Sequence, residues 1–155
     1  MAYEWCQRLG DMRMLVWDNI DFETQTVHIE QSKRHADVHL PIEDDLFEML
    51  KQQEQDFGFQ KYVAPRPYAI QGEYRPYSLQ KLPLYGRALM DAAGLSKELR
   101  LSDLRRTGTT EMVEAGVGMG QIMSVTGHAN PSSVKPYMKN TRKSAELALT
   151  ARKNS

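Results

Sequence analysis

The strongest constraint on the fold is that strand-like alternation is confined to one short region of the 155-residue chain. Residues 26–30 and 38–42 alternate or carry β-branched side chains, and a polar turn with Lys33 and Arg34 near its tip separates them. This pattern is typical of a β-hairpin. Most of the remaining sequence has helical spacing. We therefore expect an α+β fold that is mostly helical, with one small antiparallel sheet.

An acidic segment follows the hairpin and predicts the first long helix. Its carboxylates lie in the first turn, where the helix dipole favours them. Leu46, Met49 and Leu50 are expected to form its apolar face. Residues 2–17 also have helical spacing, and Cys6 is expected there as a small apolar helix residue.

Glycine and proline mark the ends of the later elements. The expected elements are a short strand at 61–63 and helices at 78–93, 103–115, 118–126, 130–135 and 141–152. Gly94, Gly116 and Gly127 stand where a left-handed residue commonly ends a helix. Ser102 stands at an N-cap position, and Pro136 is expected to break the fourth of these helices.

Composition excludes several classes of protein. Lys plus Arg and Asp plus Glu number 20 each, which disfavours a purely electrostatic nucleic-acid binder. Cys6 is the only cysteine, so the fold cannot depend on an internal disulfide. The sequence contains no signal peptide, no membrane-length apolar run and no CxxC or HExxH motif. We therefore expect no membrane segment, no metal and no cofactor.

Five side chains have the chemistry needed to handle a phosphodiester: Arg8, Lys33, Arg105, His128 and Tyr137. Guanidinium groups suit the non-bridging oxygens, a lysine can protonate a departing oxygen, and a deprotonated tyrosine can attack phosphorus. Each residue alone also fits a surface ion pair, a solvated turn, a helix cap or a half-buried aromatic. Their order and spacing favour a joint site.

Three stretches together resemble the catalytic domain of the tyrosine recombinase (phage integrase) family. The stretch RLGDMRMLVWDNID resembles the first family box, and TVHIEQSK resembles the hairpin that ends in a catalytic lysine. The segment from LSDLRRT to GHANPSSVKPY resembles the second box, with a tyrosine nine residues after the histidine. The resemblance covers about residues 2–140. The matching residues are Arg8, Asp11, Lys33, Arg105, His128 and Tyr137.

The resemblance implies a role for each of these residues. Arg8 and Arg105 would clamp the scissile phosphate, and Lys33 would protonate the leaving 5′ oxygen. His128 would hydrogen-bond the phosphate and help to position or deprotonate the nucleophile. Tyr137 would attack and form a 3′-phosphotyrosyl link to DNA, without a cofactor or an obligatory metal.

The sequence departs from the family pattern at two positions. Ser102 stands where the family usually has a histidine, and it is expected either to cap its helix or to donate one hydrogen bond to the phosphate. Pro136 directly precedes Tyr137 and is expected to leave the nucleophile on a mobile segment. Asp11 is expected to brace a neighbouring helix or one of the arginines.

The resemblance also implies a domain organisation and partners. Residues 1–155 are expected to be a single C-terminal catalytic domain, truncated at its N-terminus, without core-binding and arm-binding domains. Double-stranded DNA is the expected partner, with weak, salt-sensitive binding. The chain is expected to be a monomer when free and to self-associate in a DNA synapse. Site-specific DNA recombination or integration of a phage or prophage element in the bacterial cytoplasm, at the nucleoid, is the expected activity, with integration, excision and dimer resolution as alternative tasks.

Three alternatives remain open from the sequence. Neutral charge and Ser102 favour an inactive DNA-binding or assembly remnant of an integrase. A type IB topoisomerase-like enzyme would share the chemistry without exchange of partner strands. The last helix, with Leu147 and Leu149, either packs within the chain or docks onto a neighbouring subunit.

Overall fold

The structure, a computed structural model, describes residues 1–33, 35–138 and 142–153. Arg34, expected near the hairpin tip, and residue 141, expected in the last helix, lie outside the described residues. The helices are α1 (Leu9–Met12), α2 (Asp44–Phe57), α3 (Leu82–Ala92), α4 (Asp103–Glu114), α5 (Met119–Thr126) and α6 (Arg142–Lys153). Three 3-10 turns cover Trp17–Asn19, Pro131–Ser133 and Lys135–Tyr137. The strands are β1 (Ile20–Asp21), β2 (Thr26–Glu30) and β3 (Asp37–Pro41).

The three strands form one antiparallel sheet in the order β1-β2-β3, which confirms the mostly helical α+β fold with a small sheet. Val27 lies opposite Leu40, and alternate residues of β2 and β3 face the core. The predicted hairpin strands are confirmed to within one residue. The two-residue strand β1 was not predicted, because it is too short to show an alternating pattern.

The buried face of the sheet packs against α2 and the N-terminal segment. The core cluster contains Trp5, Met12, Leu15, Ile20, Val27, Ile29, Val38, Leu40, Ile42, Leu46, Phe47, Leu50 and Val63. Leu46 and Leu50 are buried as predicted, but Met49 is 69% exposed, so its assignment to the apolar face was wrong. Successive helix residues are about 100° apart, and the face that includes Phe47 turns Met49 toward solvent.

The N-terminal segment forms turns, and the helix predicted over residues 2–17 is reduced to α1. Cys6 is buried but not helical, with a positive φ of 50°, so its predicted helical placement was wrong. Tertiary contacts override the helical spacing. Trp5 Nε1 donates to the carbonyl of Pro41, and the Tyr3 hydroxyl donates to Glu111 on α4. These contacts place the segment that leads to Arg8 between α4 and the hairpin.

The glycine stops are confirmed, but two other local predictions were wrong. Gly94, Gly116 and Gly127 all have positive φ at helix ends. Residues 61–63 contribute a single bridge, between Val16 and Tyr62, instead of a strand. The helix predicted over residues 130–135 is replaced by two 3-10 turns. Pro136 has no backbone N–H and therefore cannot continue a helical hydrogen-bond pattern.

Ser102 directly precedes α4, but its side chain makes no capping hydrogen bond. The cap prediction was therefore wrong. The backbone of Ser102 is already helical, with φ −64° and ψ −19°, whereas a capping residue is normally extended. Instead, Asp103 Oδ2 accepts from the backbone N–H of Arg100 at 3.0 Å and closes the preceding turn.

Helix α6 exposes its apolar side chains. Leu147 and Leu149 are exposed, as are the other side chains of residues 145–150. Packing of this face within the chain, one of the two sequence-based alternatives, is therefore wrong. Within the described ranges, no helix has the length and apolar character required to cross a bilayer.

Candidate active site

Four of the predicted site residues converge where the N-terminal segment meets α4 and α5. Arg8 precedes α1, Arg105 lies in the first turn of α4, and His128 follows α5. Tyr137 lies in the last 3-10 turn, which contacts α4. Residues separated by up to 129 positions in the sequence thus meet at one place.

Arg105 is the buried cation at the centre of the cluster, with 9% of its surface exposed. Its Nη2 donates to the carbonyl of Thr126 at 2.9 Å and to His128 Nε2 at 3.0 Å. Its Nη1 is buried and has no hydrogen-bond partner in the described part of the chain. Burial, and then the positive charge of Arg8, lower the pKa of Arg105. A buried, partly unpaired cation beside a like charge is an arrangement that an anion would stabilise.

The protonation of His128 follows from its two partners. A guanidinium can only donate, so Nε2 must be the acceptor from Arg105. The ring hydrogen is then on Nδ1, which donates to Thr126 Oγ1 at 2.7 Å. The hydroxyl of Thr126 donates its own hydrogen to the carbonyl of Ile122 at 2.7 Å. His128 is therefore the neutral Nδ1–H tautomer in this geometry.

Tyr137 lies next to His128, with 6.2 Å between the two ring centroids. Tyr137 acts to raise the pKa of Arg105, opposite to the larger effect of burial. Val134, which is fully buried, anchors the segment, and the Asn130 side chain accepts from the backbone N–H of Ser132. The ring of Tyr137 thus lies beside His128, which itself contacts Arg105.

Asp11 links Arg8 to the hairpin. Its Oδ2 lies 3.6 Å from Arg8 Nη1. Its Oδ1 accepts from both the backbone N–H and the hydroxyl of Ser32, at 3.1 and 2.5 Å. Asp11 therefore holds the first residue of the turn that carries Lys33 and also lies beside Arg8.

Lys33 and Ser102 are not joined to the cluster by any hydrogen bond or ion pair within residues 1–33, 35–138 and 142–153. Lys33 is exposed on the hairpin turn, immediately after the Ser32 that Asp11 holds. Ser102 is exposed and lines a small, mainly apolar groove together with Leu9.

The sequence model of the phage integrase family matches residues 1–144 of the chain. The chain belongs to the phage integrase family. None of the curated proteins gives a significant match. Many solved structures do match, at identities that show the fold alone.

Three solved structures illustrate the similarity of this integrase-family chain. The XerA recombinase has a TM-score of 0.74 at 16% identity, with 97% of this chain and 53% of that chain covered. The Tn1549 transposon integrase with a circular intermediate DNA has a TM-score of 0.73 at 16% identity, covering 97% and 56%. A lambda integrase dimer bound to a COC′ core site has a TM-score of 0.66 at 21% identity, covering 90% and 40%. The chain therefore spans about half the length of the first two relatives.

Sequence reasoning missed the buried polar residues that surround the integrase cluster. Gln7, Gln31 and Thr126 are fully buried and hydrogen-bond with one another or with the arginines. The available signal was position alone, because Gln31 stands two residues before Lys33 and Thr126 two before His128. Among the described residues, no group of three or more His, Cys, Asp or Glu side chains could hold a metal ion.

Proposed function

We propose that this chain carries out site-specific DNA recombination by cleaving and rejoining strands through a 3′-phosphotyrosyl intermediate. The observation that carries the proposal is the cluster in which Arg105 contacts His128 and lies close to both Tyr137 and Arg8. The cluster combines a nucleophile, a proton-handling group and two permanent cations. These are the groups that transfer of a phosphoryl group to an enzyme side chain requires.

The proposed reaction exchanges one phosphodiester for another. The phenolate oxygen of Tyr137 forms a bond to phosphorus, and the bond from phosphorus to the 5′ oxygen breaks. The departing oxygen keeps the electron pair and takes a proton from Lys33. Arg8 and Arg105 hold the non-bridging oxygens, where negative charge increases in the transition state. A 5′ hydroxyl from a partner strand reverses the same steps.

The resting position of His128 requires one rearrangement before it can serve the reaction. Its Nε2 accepts from Arg105 in the structure. A phosphate oxygen that accepted from Arg105 would replace this contact and leave Nε2 available to the phosphate or to the phenol proton. Ser102 cannot act as a base at neutral pH without help, so proton removal falls to His128 or water.

The proposed partners are double-stranded DNA and further copies of the chain. Similar solved structures include a transposon integrase with circular intermediate DNA and a lambda integrase dimer on a core site. Helix α6, on which Leu147 and Leu149 are exposed, is the element proposed for self-association. We expect light scattering to show a monomer without DNA and a larger assembly with it. The chain would act as a catalytic domain, on DNA in the bacterial cytoplasm.

A covalent adduct on a nicked suicide duplex tests the proposal. Because the target site is unknown, the substrate is a pool of nicked duplexes with a randomised central sequence, incubated with the full chain at low salt. We expect a covalent protein–DNA band on a denaturing gel and peptide mapping of the DNA to Tyr137. Tyr137→Phe should abolish the band, and Tyr68→Phe, at an exposed tyrosine, should retain it.

Three outcomes would contradict the proposal. An adduct that persists in Tyr137→Phe would move the nucleophile elsewhere, and no adduct with the unmodified chain would favour the inactive DNA-binding remnant. Relaxation of supercoiled plasmid without exchange between two sites would favour the topoisomerase-like alternative.

A further inference from the structure

Gln31 is a fully buried glutamine whose amide contacts three other groups. Its Oε1 accepts from Arg8 Nη1 at 2.8 Å. Its Nε2 donates to the carbonyl of Thr126 at 2.8 Å and to Gln7 Oε1 at 2.6 Å. The orientation of the amide is determined twice, because an arginine can only donate and a backbone carbonyl can only accept.

The carbonyl of Thr126 is the point where the two arginines are connected. It accepts from Gln31 Nε2 and also from Arg105 Nη2, at 2.8 and 2.9 Å. A carbonyl oxygen has two lone pairs, and both are used here. A continuous chain of hydrogen bonds therefore runs from Arg8 through Gln31 and Thr126 to Arg105.

Gln7 supports this connection from the other side. It is fully buried, and its Nε2 donates to the carbonyls of Trp5 and Val125, each at 2.7 Å. Its Oε1 accepts the second hydrogen of Gln31. Both donors of Gln31 are thus used, which prevents the amide from rotating away from Arg8.

The backbone at Gly127 leaves the space that Gln31 occupies. A Cβ atom at this position would overlap the side-chain amide of Gln31, and the residue has a positive φ of 66°. The turn that ends α5 and presents His128 is therefore shaped around the same glutamine. Gln31 therefore contacts the guanidinium of Arg8 and the Thr126 carbonyl that also accepts from Arg105. It also packs against the turn at Gly127, directly before His128.

We propose that Gln31 is a positioning residue that holds Arg8 and Arg105 at the separation required for a single phosphate. Two like charges would otherwise move apart, and the bonded amide fixes the distance between them without adding charge. The inference rests on the proposed function, because the phosphate it concerns is the scissile one. Gln31 itself contacts only protein groups and no phosphate oxygen.

The test compares Gln31→Met with Gln53→Met in the full chain. Gln53 also donates from Nε2 to a backbone carbonyl, that of Val63, but it lies outside the cluster. The single-turnover rate of adduct formation should fall about 10- to 100-fold in Gln31→Met, with the DNA dissociation constant changed less than about threefold. Gln53→Met should change neither. A Gln31→Met rate within about threefold of the control would overturn the inference.

A double-mutant comparison separates positioning from loss of stability. If Gln31 acts through Arg8, then the double variant Arg8→Lys, Gln31→Met should cleave less than about threefold more slowly than Arg8→Lys alone. Full additivity of the two effects would contradict the inference. If Gln31→Met does not fold, Gln31→Glu replaces it. This variant keeps the acceptor for Arg8, loses both donors and should show the same rate defect.

Binding of inorganic phosphate provides a readout that does not require cleavage. The resonances of the Arg8 and Arg105 side chains, followed by NMR during a phosphate titration, should give an affinity at least about fivefold weaker in Gln31→Met than in Gln53→Met. Equal affinities would overturn the inference even if the chain cleaves DNA. If the unmodified chain neither cleaves DNA nor binds phosphate, the proposed function fails and the inference fails with it.

Discussion

His128 lies between a guanidinium that can only donate and a hydroxyl whose own hydrogen is already used. These two partners set the tautomer, and they also limit what the imidazole can do before DNA binds. A protonated ring could not accept from Arg105 and would add a third positive charge to the cluster. The resting site therefore holds His128 as the neutral Nδ1–H tautomer.

Lys33 is the residue whose proposed role depends most on chemistry and least on observed contacts. We predict that Lys33→Ala slows cleavage of an ordinary duplex by about 10²- to 10⁴-fold, because the 5′ oxygen then leaves without a proton donor. A duplex with sulfur in place of the scissile 5′ oxygen should be cleaved by the variant at nearly the normal rate, because a thiolate leaves unprotonated. The measurement is the single-turnover rate on each substrate.

Lys51 supplies the control for that experiment, because it is a lysine on α2 that is paired with Glu48. Lys51→Ala should leave both rates unchanged. An equal defect of Lys33→Ala on the oxygen and sulfur substrates would rule out proton donation.

Gly127 and Gly116 form a matched pair of helix-ending glycines with positive φ. A Cβ at Gly116 would meet nothing within 4 Å, whereas a Cβ at Gly127 would overlap Gln31. We predict that Gly116→Ala costs about 1 kcal/mol of unfolding free energy through backbone strain alone. Gly127→Ala should cost about 1–3 kcal/mol more, because hydrogen bonds of Gln31 are also lost. Urea titrations of both variants measure the difference, and equal costs would contradict the assigned packing.

At the scale of elements, α2 contributes to the core through one narrow stripe. Leu50 is 3% exposed and Met49 is 69% exposed, although the two are adjacent. We predict that Leu50→Ala lowers the unfolding free energy by about 2–5 kcal/mol, whereas Met49→Ala changes it by less than about 0.5 kcal/mol. Chemical denaturation measures both. A large effect at Met49 would indicate a partner that covers this face.

The turn between β1 and β2 depends on Asp21. Its Oδ1 accepts from the backbone N–H groups of Glu23 and Thr24 at 2.8 and 3.0 Å. Hydrogen bonds from Thr24, and then from Glu23, lower the pKa of Asp21 below its ordinary value. A lowered folded-state pKa means that the stabilisation is present above the unfolded value and is lost as the pH falls through the folded value.

We therefore predict that Asp21→Ala lowers the melting temperature at about pH 7 and that the difference from the unmodified chain disappears in strong acid, below the folded pKa. Thermal melts at a series of pH values measure this. Glu23→Ala removes a neighbouring carboxylate but keeps the backbone N–H that donates to Asp21. This variant should show no such pH dependence. A difference for Asp21→Ala that persists in strong acid would show that the carboxylate charge is not responsible.

At the scale of the whole molecule, a net charge of zero conceals a local positive surface. Arg13, Lys61 and Arg66 line one groove together with the aromatic rings of Phe59, Tyr62 and Tyr74. A fourth cation of the groove, Arg75, is paired with Glu73 at 2.6 Å. Arg13 directly follows α1 and stands five residues after Arg8. We predict that DNA bound at the cluster also contacts this groove.

We predict weak, salt-sensitive binding of double-stranded DNA, with a slope of about −0.9 per phosphate contacted in a plot of log affinity against log salt. Replacing both Lys61 and Arg66 by Gln should make the slope less steep by about 1.8, because contacts to two phosphates are lost. Lys51→Gln, on α2, should leave it unchanged. Fluorescence anisotropy at several salt concentrations measures the slope, and an unchanged slope in the double variant would exclude the groove from DNA binding.

The sequence by itself determined the hairpin, most helix ends and the candidate residues of the cluster. These features depend on local rules, such as alternation over residues 26–30 or the left-handed backbone at Gly127, or on short ordered motifs around Arg8 and Tyr137. Such rules act over a few residues, so they can be recognised without knowing how the chain packs.

Only the tertiary structure decided which side chains support that cluster and where local rules fail. The turns at residues 1–7 replace a predicted helix because Trp5 and Tyr3 bind distant groups. Gln31 acquires its position from residues 8, 7 and 126, none of which is its neighbour in sequence. Burial and hydrogen-bond partners are properties of the packed chain, and a glutamine in a strand-to-turn segment carries no sign of them.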